Sequence, residues 1–266
     1  MVKKIGLFIS ADHLLDEPSK LRTFLDQISR VFPQAHQMQL ISIVDREQVA
    51  SLKNIKWEHL TLLESPKRLK GRKAAKEAVK FLNHRPLDLI TILRSQNKDS
   101  WSFWVGSFAE TMVYFSQYPI LIWPYLNYQI AKNFRCLYAL DPHGCDVTKL
   151  KQFIELGRKN RWDIVALVVL EPWFFNPDVD QKSKKQRGEL QKNISEFERL
   201  LKTKVAGELI IKKSLSGISQ TILETADELN AQLIVVHHEV RGLKRFLVGS
   251  VTSQLLQGAR RPILIL

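Results

Sequence analysis

Leu233-Ile234-Val235-Val236, Phe246-Leu247-Val248-Gly249-Ser250 and Pro262-Ile263-Leu264-Ile265 are three blocks in the last 36 residues of a 266-residue chain. Laid over residues 88–123 at a constant offset of 143, that stretch needs no gap. Phe103-Trp104-Val105-Gly106-Ser107 falls on the second block and Pro119-Ile120-Leu121-Ile122 on the third. Upstream, Ile5-Gly6-Leu7-Phe8-Ile9 matches Cys136-Leu137-Tyr138-Ala139-Leu140 at an offset of 131, so the second copy carries twelve extra residues in its middle. Matched blocks in one order are the mark of an internal repeat, and a repeat must be found before any fold is assigned.

Each copy alternates strand with helix. In the second, Phe134–Leu140 is a short apolar run of strand length, and Val147–Arg158 follows at near-helical period through Leu150, Phe153, Ile154 and Leu156. Trp162–Leu170 is continuous and partly β-branched, as suits a strand buried on both faces. Lys184–Leu201 places Leu190, Ile194, Phe197 and Leu201 on one helical stripe. A strand at Glu208–Ile211, a helix at Ser219–Leu229 capped by Ser219 or a neighbour, a strand at Leu233–Val236, a helix at Val251–Gln257 and a strand at Pro262–Leu266 complete the pattern. The first copy follows the same plan from Lys3 to Trp123, and Pro124–Asn133 reads as a polar linker. Alternation of this kind predicts parallel sheets with right-handed crossovers. The expected class is α/β, with domains at 1–127 and 133–266.

Composition narrows the function. The chain is 45% hydrophobic and 25% charged, with a net charge of +13, which describes a basic globular protein rather than a disordered one. No apolar run approaches the roughly 18 to 20 residues that span a bilayer. Met1-Val2-Lys3-Lys4 precedes only the short stretch Ile5–Ile9, so neither membrane insertion nor secretion is expected and the expected location is the cytoplasm. Cys136 and Cys145 make neither a disulfide framework nor a zinc site, and both read as plain thiols.

Leu233–Val236, the segment Gly242–Val251 and Pro262–Ile265 together resemble the end of a universal stress protein domain. Leu137-Tyr138-Ala139-Leu140-Asp141 resembles its first strand, and Val168-Val169-Leu170-Glu171-Pro172 the end of its second. The likeness covers both halves, so the chain resembles a tandem universal stress protein. That resemblance implies two open sheets, each five-stranded and mainly parallel in order 3-2-1-4-5, with helices on both faces. It implies an internal pseudo-dimer through the last strands, 119–123 and 262–266, and leaves room for a homodimer of the whole chain. It implies a stress-response or regulatory binding module with ATP or AMP, and Mg²⁺, as the ligands.

Parallel sheets bind ligands beyond their carboxyl ends, where the strand order reverses, which here lies between strands 1 and 4. Asp141 and His237 stand at those ends in the second copy. Asp141 is read as an acceptor for ribose or base, or as a cap for the next helix. Gly249-Ser250 opens a helix, where free N–H groups favour phosphate, or is simply a helix start packed on the sheet. With Val169, Gly242 and Val251 these residues make the candidate nucleotide set, and Lys244 and Arg245 add positive charge. The family's nucleotide-binding members carry G-x2-G-x9-G-[ST] here. Counting back from Gly249 gives Glu239 and Val236 instead of glycines, and the first-half loop Arg94–Val105 has none, with Ser10 in place of Asp141. Forcing a side chain into the left-handed region costs about 1–2 kcal/mol, and each 1.4 kcal/mol is about tenfold in affinity. No nucleotide is expected in the first half, and weak or absent binding in the second.

Other features carry plainer readings. His237 and His238 point to opposite faces if extended, which disfavours joint chelation, and no metal site is expected. Trp101, Phe103, Trp104 and Trp123 read as packing, since Leu247 and Leu266 replace two of them in the second copy. Lys67–Lys80 is the most basic segment. With Leu69, Ala75 or Ala78, Val79 and Leu82 as its buried stripe, it is either a solvated face or an anion or nucleic-acid scaffold in which Lys70 and Lys73 take part. The second basic run, Lys182–Arg187, reads as a solvated loop. No nucleophile–base–orienter set stands out, so no enzyme is proposed, and slow ATP hydrolysis at the second-half pocket is the rival reading.

Overall fold

The computed structural model describes residues 2–9, 18–44, 60–64, 71–93, 108–125, 128–131, 134–143, 147–176, 178, 180–205, 207–237 and 250–266. The chain forms two compact units, Met1–Ile130 with Val240–Leu266, and Ala131–Glu239.

The first unit holds β1 (Lys4–Phe8), α1 (Pro18–Val31), β2 (Gln37–Val44), β3 (Leu60–Glu64), α2 (Gly71–Leu82), β4 (Leu89–Leu93), α3 (Glu110–Phe115) and β5 (Ile120–Trp123). Its strand order is β3-β2-β1-β4-β5, with every pair parallel. That is the expected 3-2-1-4-5. Ile5, Leu7 and Phe8 are all buried, as a central parallel strand covered on both faces requires. Gly6 keeps β1 tight, because a Cβ there would stand 2.8 Å from the Leu87 Cδ1. On α1, Leu21, Phe24, Ile28 and Val31 form the buried stripe.

The second unit holds β6 (Arg135–Leu140), α4 (Val147–Asn160), β7 (Asp163–Leu170), a 3-10 turn at Pro172–Phe175, α5 (Gln181–Val205), β8 (Glu208–Lys213), α6 (Ile218–Glu228) and β9 (Leu233–Val236). Its order is β9-β6-β7-β8, again parallel throughout. The long stripe on α5 is as the spacing predicts, with Leu190, Ile194, Phe197 and Leu201 buried. At Gly157, α4 runs so close to β7 that a Cβ would lie 2.4 Å from the Ile164 Cδ1.

The last strand, β10 (Ile263–Ile265), and the helix before it, α7 (Ser250–Gly258), belong to the first compact unit, where β10 pairs antiparallel with β5. Among the described residues the first unit therefore carries six strands and the second four. The free edge of β5, whose outward N–H and C=O groups need partners, is the physical reason. Two expectations are corrected. Lys182–Arg187 is not a loop but the opening of α5. Asp180 starts it, accepting the Ser183 N–H at 2.7 Å, and this bond holds the Asp180 carboxyl below its ordinary range. Nor does Ser219 cap α6. Gly217 stands at the N-cap with φ 103°, a conformation that excludes most side chains, and Ser219 is buried one residue inside the helix.

The described part of the linker is tied to α1. Gln27, buried, accepts the Ile130 N–H at 2.8 Å and donates its amide to Gln129 at 3.2 Å.

Candidate functional site

In the second unit the strand order reverses between β6 and β9, and the carboxyl ends of those strands are the place where an open parallel sheet takes ligands. Tyr138 pairs with Val235 across the ladder, so His237, two residues beyond, falls on the same face as Tyr138. The Tyr138 hydroxyl and His237 Nε2 are hydrogen-bonded, with ring centroids 5.3 Å apart. From the other side Phe153 of α4 packs on the Tyr138 ring at 4.1 Å. The phenol is thus held between a helix and the mouth of the β6–β9 crevice. The sequence gives no hint of this pair until the β6/β9 register is known, because 99 residues separate its members.

Asp141 follows β6 directly and is exposed. Its Oδ1 accepts the His143 N–H at 2.9 Å, the geometry of an Asx turn. Asn193 of α5 donates to the Pro142 carbonyl at 2.8 Å and fixes the same turn. A carboxylate held by its own turn at a switch point is preorganised to accept hydroxyl groups. Val169 lies near the end of β7, buried, and Ser214 N–H donates to the Leu170 carbonyl at 2.8 Å, closing the ends of β7 and β8 together. The 3-10 turn beyond β7 adds Trp173, Phe174 and Phe175. Trp173 donates its indole N–H to Glu171 at 3.0 Å, and Arg187 stacks on Phe174 while donating to the Asn176 carbonyl.

Asp141 and Val169 therefore sit at the carboxyl ends of neighbouring strands of the second unit. Ser250 opens α7 in the first unit, exposed, and Val251 follows it half-buried. Gly242, Lys244, Arg245, Gly249 and Lys70 lie outside the described residues, as do Ser10, Trp101, Phe103, Trp104, His238 and Cys145. Lys73 is exposed on α2. The buried residues of α2 are Ala74, Ala75, Ala78, Val79 and Leu82, the expected stripe apart from Leu69, which is outside the described residues.

Trp123 is fully buried, edge-on to Phe24 and Tyr128, which is the packing role expected of it. Burial pushes the Cys136 thiol well above its ordinary range, so it stays protonated and is a poor nucleophile. Among the described residues no group of His, Cys, Asp and Glu could hold a metal ion, and no helix is long and apolar enough to cross a membrane. A cavity of about 260 Å³ opens at the amino ends of β1–β3, lined by Lys4, Gln37, Gln39, Thr61 and Arg85. It lies away from the carboxyl ends where parallel sheets bind ligands.

The sequence profile of the universal stress protein family matches residues 133–266, half of the chain. No curated protein matches the chain in sequence. A functionally unknown protein from Pseudomonas aeruginosa PAO1 is similar in structure over 100% of this chain and 92% of its own, with TM-score 0.64 and 14% identity. A universal stress protein from Archaeoglobus fulgidus DSM 4304 is similar over 98% of this chain and 95% of its own, with TM-score 0.61 and 13% identity. A universal stress protein from Archaeoglobus fulgidus, solved in complex with dAMP, covers 50% of this chain and 96% of its own, at TM-score 0.37 and 17% identity. At these identities the first two likenesses speak for the fold alone, an α/β open sheet, while the profile match over the second half carries the family. The chain belongs to the universal stress protein family.

Proposed function

We propose that the chain is a tandem of two universal stress protein-like repeats, 1–127 and 133–266, acting in the cytoplasm as a non-catalytic regulatory binding module. The first repeat is degenerate. The second takes ATP or AMP, with Mg²⁺, weakly. The β5/β10 ladder supports the tandem reading: Leu121 pairs with Leu264, Ile120 with Ile265 and Ile122 with Ile263. Leu121 and Leu264 are equivalent positions of the repeat, and each flanking pair joins one residue to the counterpart of the other. That reciprocity is the signature of a twofold pairing between like surfaces.

The observation that carries the binding reading is Asp141, an exposed carboxylate fixed in its own turn beside the β6–β9 switch point. An adenosine ribose presents hydroxyl donors that such a group accepts. The family pattern supplies Gly242, Gly249, Ser250 and Val251 for the phosphates. Val236 and Glu239, standing where the family's pattern has glycines, support weak rather than tight binding. Calorimetric titration with Mg-ATP and with AMP tests the reading. A weak response that Asp141→Ala and Ser250→Ala each remove is expected. Affinity retained in Asp141→Ala places the ligand elsewhere, and phosphate release above blank favours the hydrolase.

A further inference from the structure

α2 presents a row of cations beside an exposed aromatic ring, and this surface lies outside the nucleotide reading. Arg72, Lys73, Lys76 and Lys80 are all exposed on α2. Arg72, Lys76 and Lys80 follow one another at four-residue spacing, so they stand in a line about 6 Å apart. Glu77 is the sole acidic residue of the helix, and its carboxylate is engaged by Lys80 at 2.8 Å. No described carboxylate pairs with Arg72, Lys73 or Lys76. Next to the row, Phe115 ends α3 with 42% of its surface exposed. The Lys76 Nζ lies 5.7 Å from the centre of the Phe115 ring, and Tyr114 braces that ring edge-on at 4.5 Å.

We propose that α2 and Phe115 form a landing strip for single-stranded nucleic acid, the cations following the phosphates and Phe115 stacking a base. Each part answers a different feature of the ligand. Neutralising phosphates gives sequence-independent affinity, and an exposed ring accepts any unpaired base. A net charge of +13 speeds the encounter with a polyanion. An anionic membrane is a poorer fit. The apolar residues of α2 are spent on the core, so the helix has no apolar face to place in lipid. Duplex DNA offers the phosphates but no base for Phe115.

Fluorescence anisotropy with labelled oligothymidylate, on the full chain, tests the proposal. Binding at about 50 mM salt is expected. Neutralisation of three phosphates gives a log–log salt slope of about −2, which is about a twentyfold loss by about 200 mM. Lys73→Glu/Lys76→Glu weakens binding at least about tenfold. Lys184→Glu/Lys185→Glu makes the same change of net charge on exposed α5 positions and leaves affinity within about twofold. Phe115→Ala weakens the single strand about tenfold and leaves duplex binding unchanged. Circular dichroism establishes that each variant is folded. The proposal is overturned by no binding at low salt, by equal losses in the two lysine pairs, by an unchanged Phe115→Ala, or by equal retention on phosphatidylserine vesicles.

Discussion

The Ser253 hydroxyl donates to the Glu110 carboxylate at 2.5 Å, and the two residues are 143 apart, the interval that superposes the repeated sequence blocks. Each is therefore the counterpart of the other, and they meet within one compact unit, as Leu121 and Leu264 do. Contacts between counterparts are what the proposed tandem of like repeats requires.

The proposed equivalence has an energetic consequence at the ladder. Leu121 and Leu264 are both buried, at 0% and 1% exposure. Leu121→Ala and Leu264→Ala are expected to cost similar amounts, about 2–5 kcal/mol each. The double variant should cost less than their sum, because the two sites share one contact. Urea denaturation measures all three. A large inequality between the single variants would show that the positions are not equivalent in packing.

Two helical glycines should respond to alanine in opposite directions. Gly188 on α5 has nothing within 4 Å of an added Cβ, so Gly188→Ala stabilises by up to about 1 kcal/mol through helix propensity. At Gly157 the same substitution meets Ile164 at 2.4 Å and 3.2 Å, and Ile164 is itself buried on β7. Overpacking there outweighs propensity, and a net loss of about 1–2 kcal/mol is expected. Thermal melts of the two variants, run side by side, decide it. A stabilised Gly157→Ala would mean that α4 shifts freely against the sheet.

Tyr138→Phe removes one hydroxyl from the switch point and leaves the ring on Phe153. The expected cost is about 1–2 kcal/mol for the bond lost to His237. Tyr138→Ala, which removes the ring as well, should cost about 3–5 kcal/mol. Equal stability of wild type and Tyr138→Phe would show that the phenol–imidazole bond contributes nothing to the fold.

Tyr128 gives a prediction at alkaline pH. Burial pushes its hydroxyl up from 10.0 to about 12, against the opposing pull of Arg261. Between those values the unfolded chain loses a proton that the folded chain keeps, so stability falls as pH rises from 10 to 12. Tyr128→Phe should lose less stability over that window than wild type. Parallel losses in the two proteins, followed by thermal melts at pH 9 and 11.5, would show that Tyr128 titrates as an ordinary exposed phenol.

Much of the second unit was legible in the sequence because its local signals agree with its burial. The run Trp162–Leu170 reads as a strand buried on both faces, and every residue of it but Asp163 is buried. The α5 stripe reads at helical period and is buried throughout. Errors gathered where one residue decides a boundary. Asp180 turned a basic loop into a helix start, and Gly217 displaced Ser219 from the cap because its φ of 103° suits glycine alone. At the candidate site, Asp141 and Val169 were readable as strand ends, but Tyr138 was not. Its partner is 99 residues away, and nothing local marks the pair.

The sequence by itself determined the matched blocks and the alternation of strand and helix, because these depend on periodicity and chain direction, while the order of the first five strands came from the family resemblance. Tertiary structure alone decided the register of β10 on β5, and so which residues face one another across that ladder. Edge pairing depends on where free backbone donors and acceptors come to lie, and those positions exist only once the strands have been brought together.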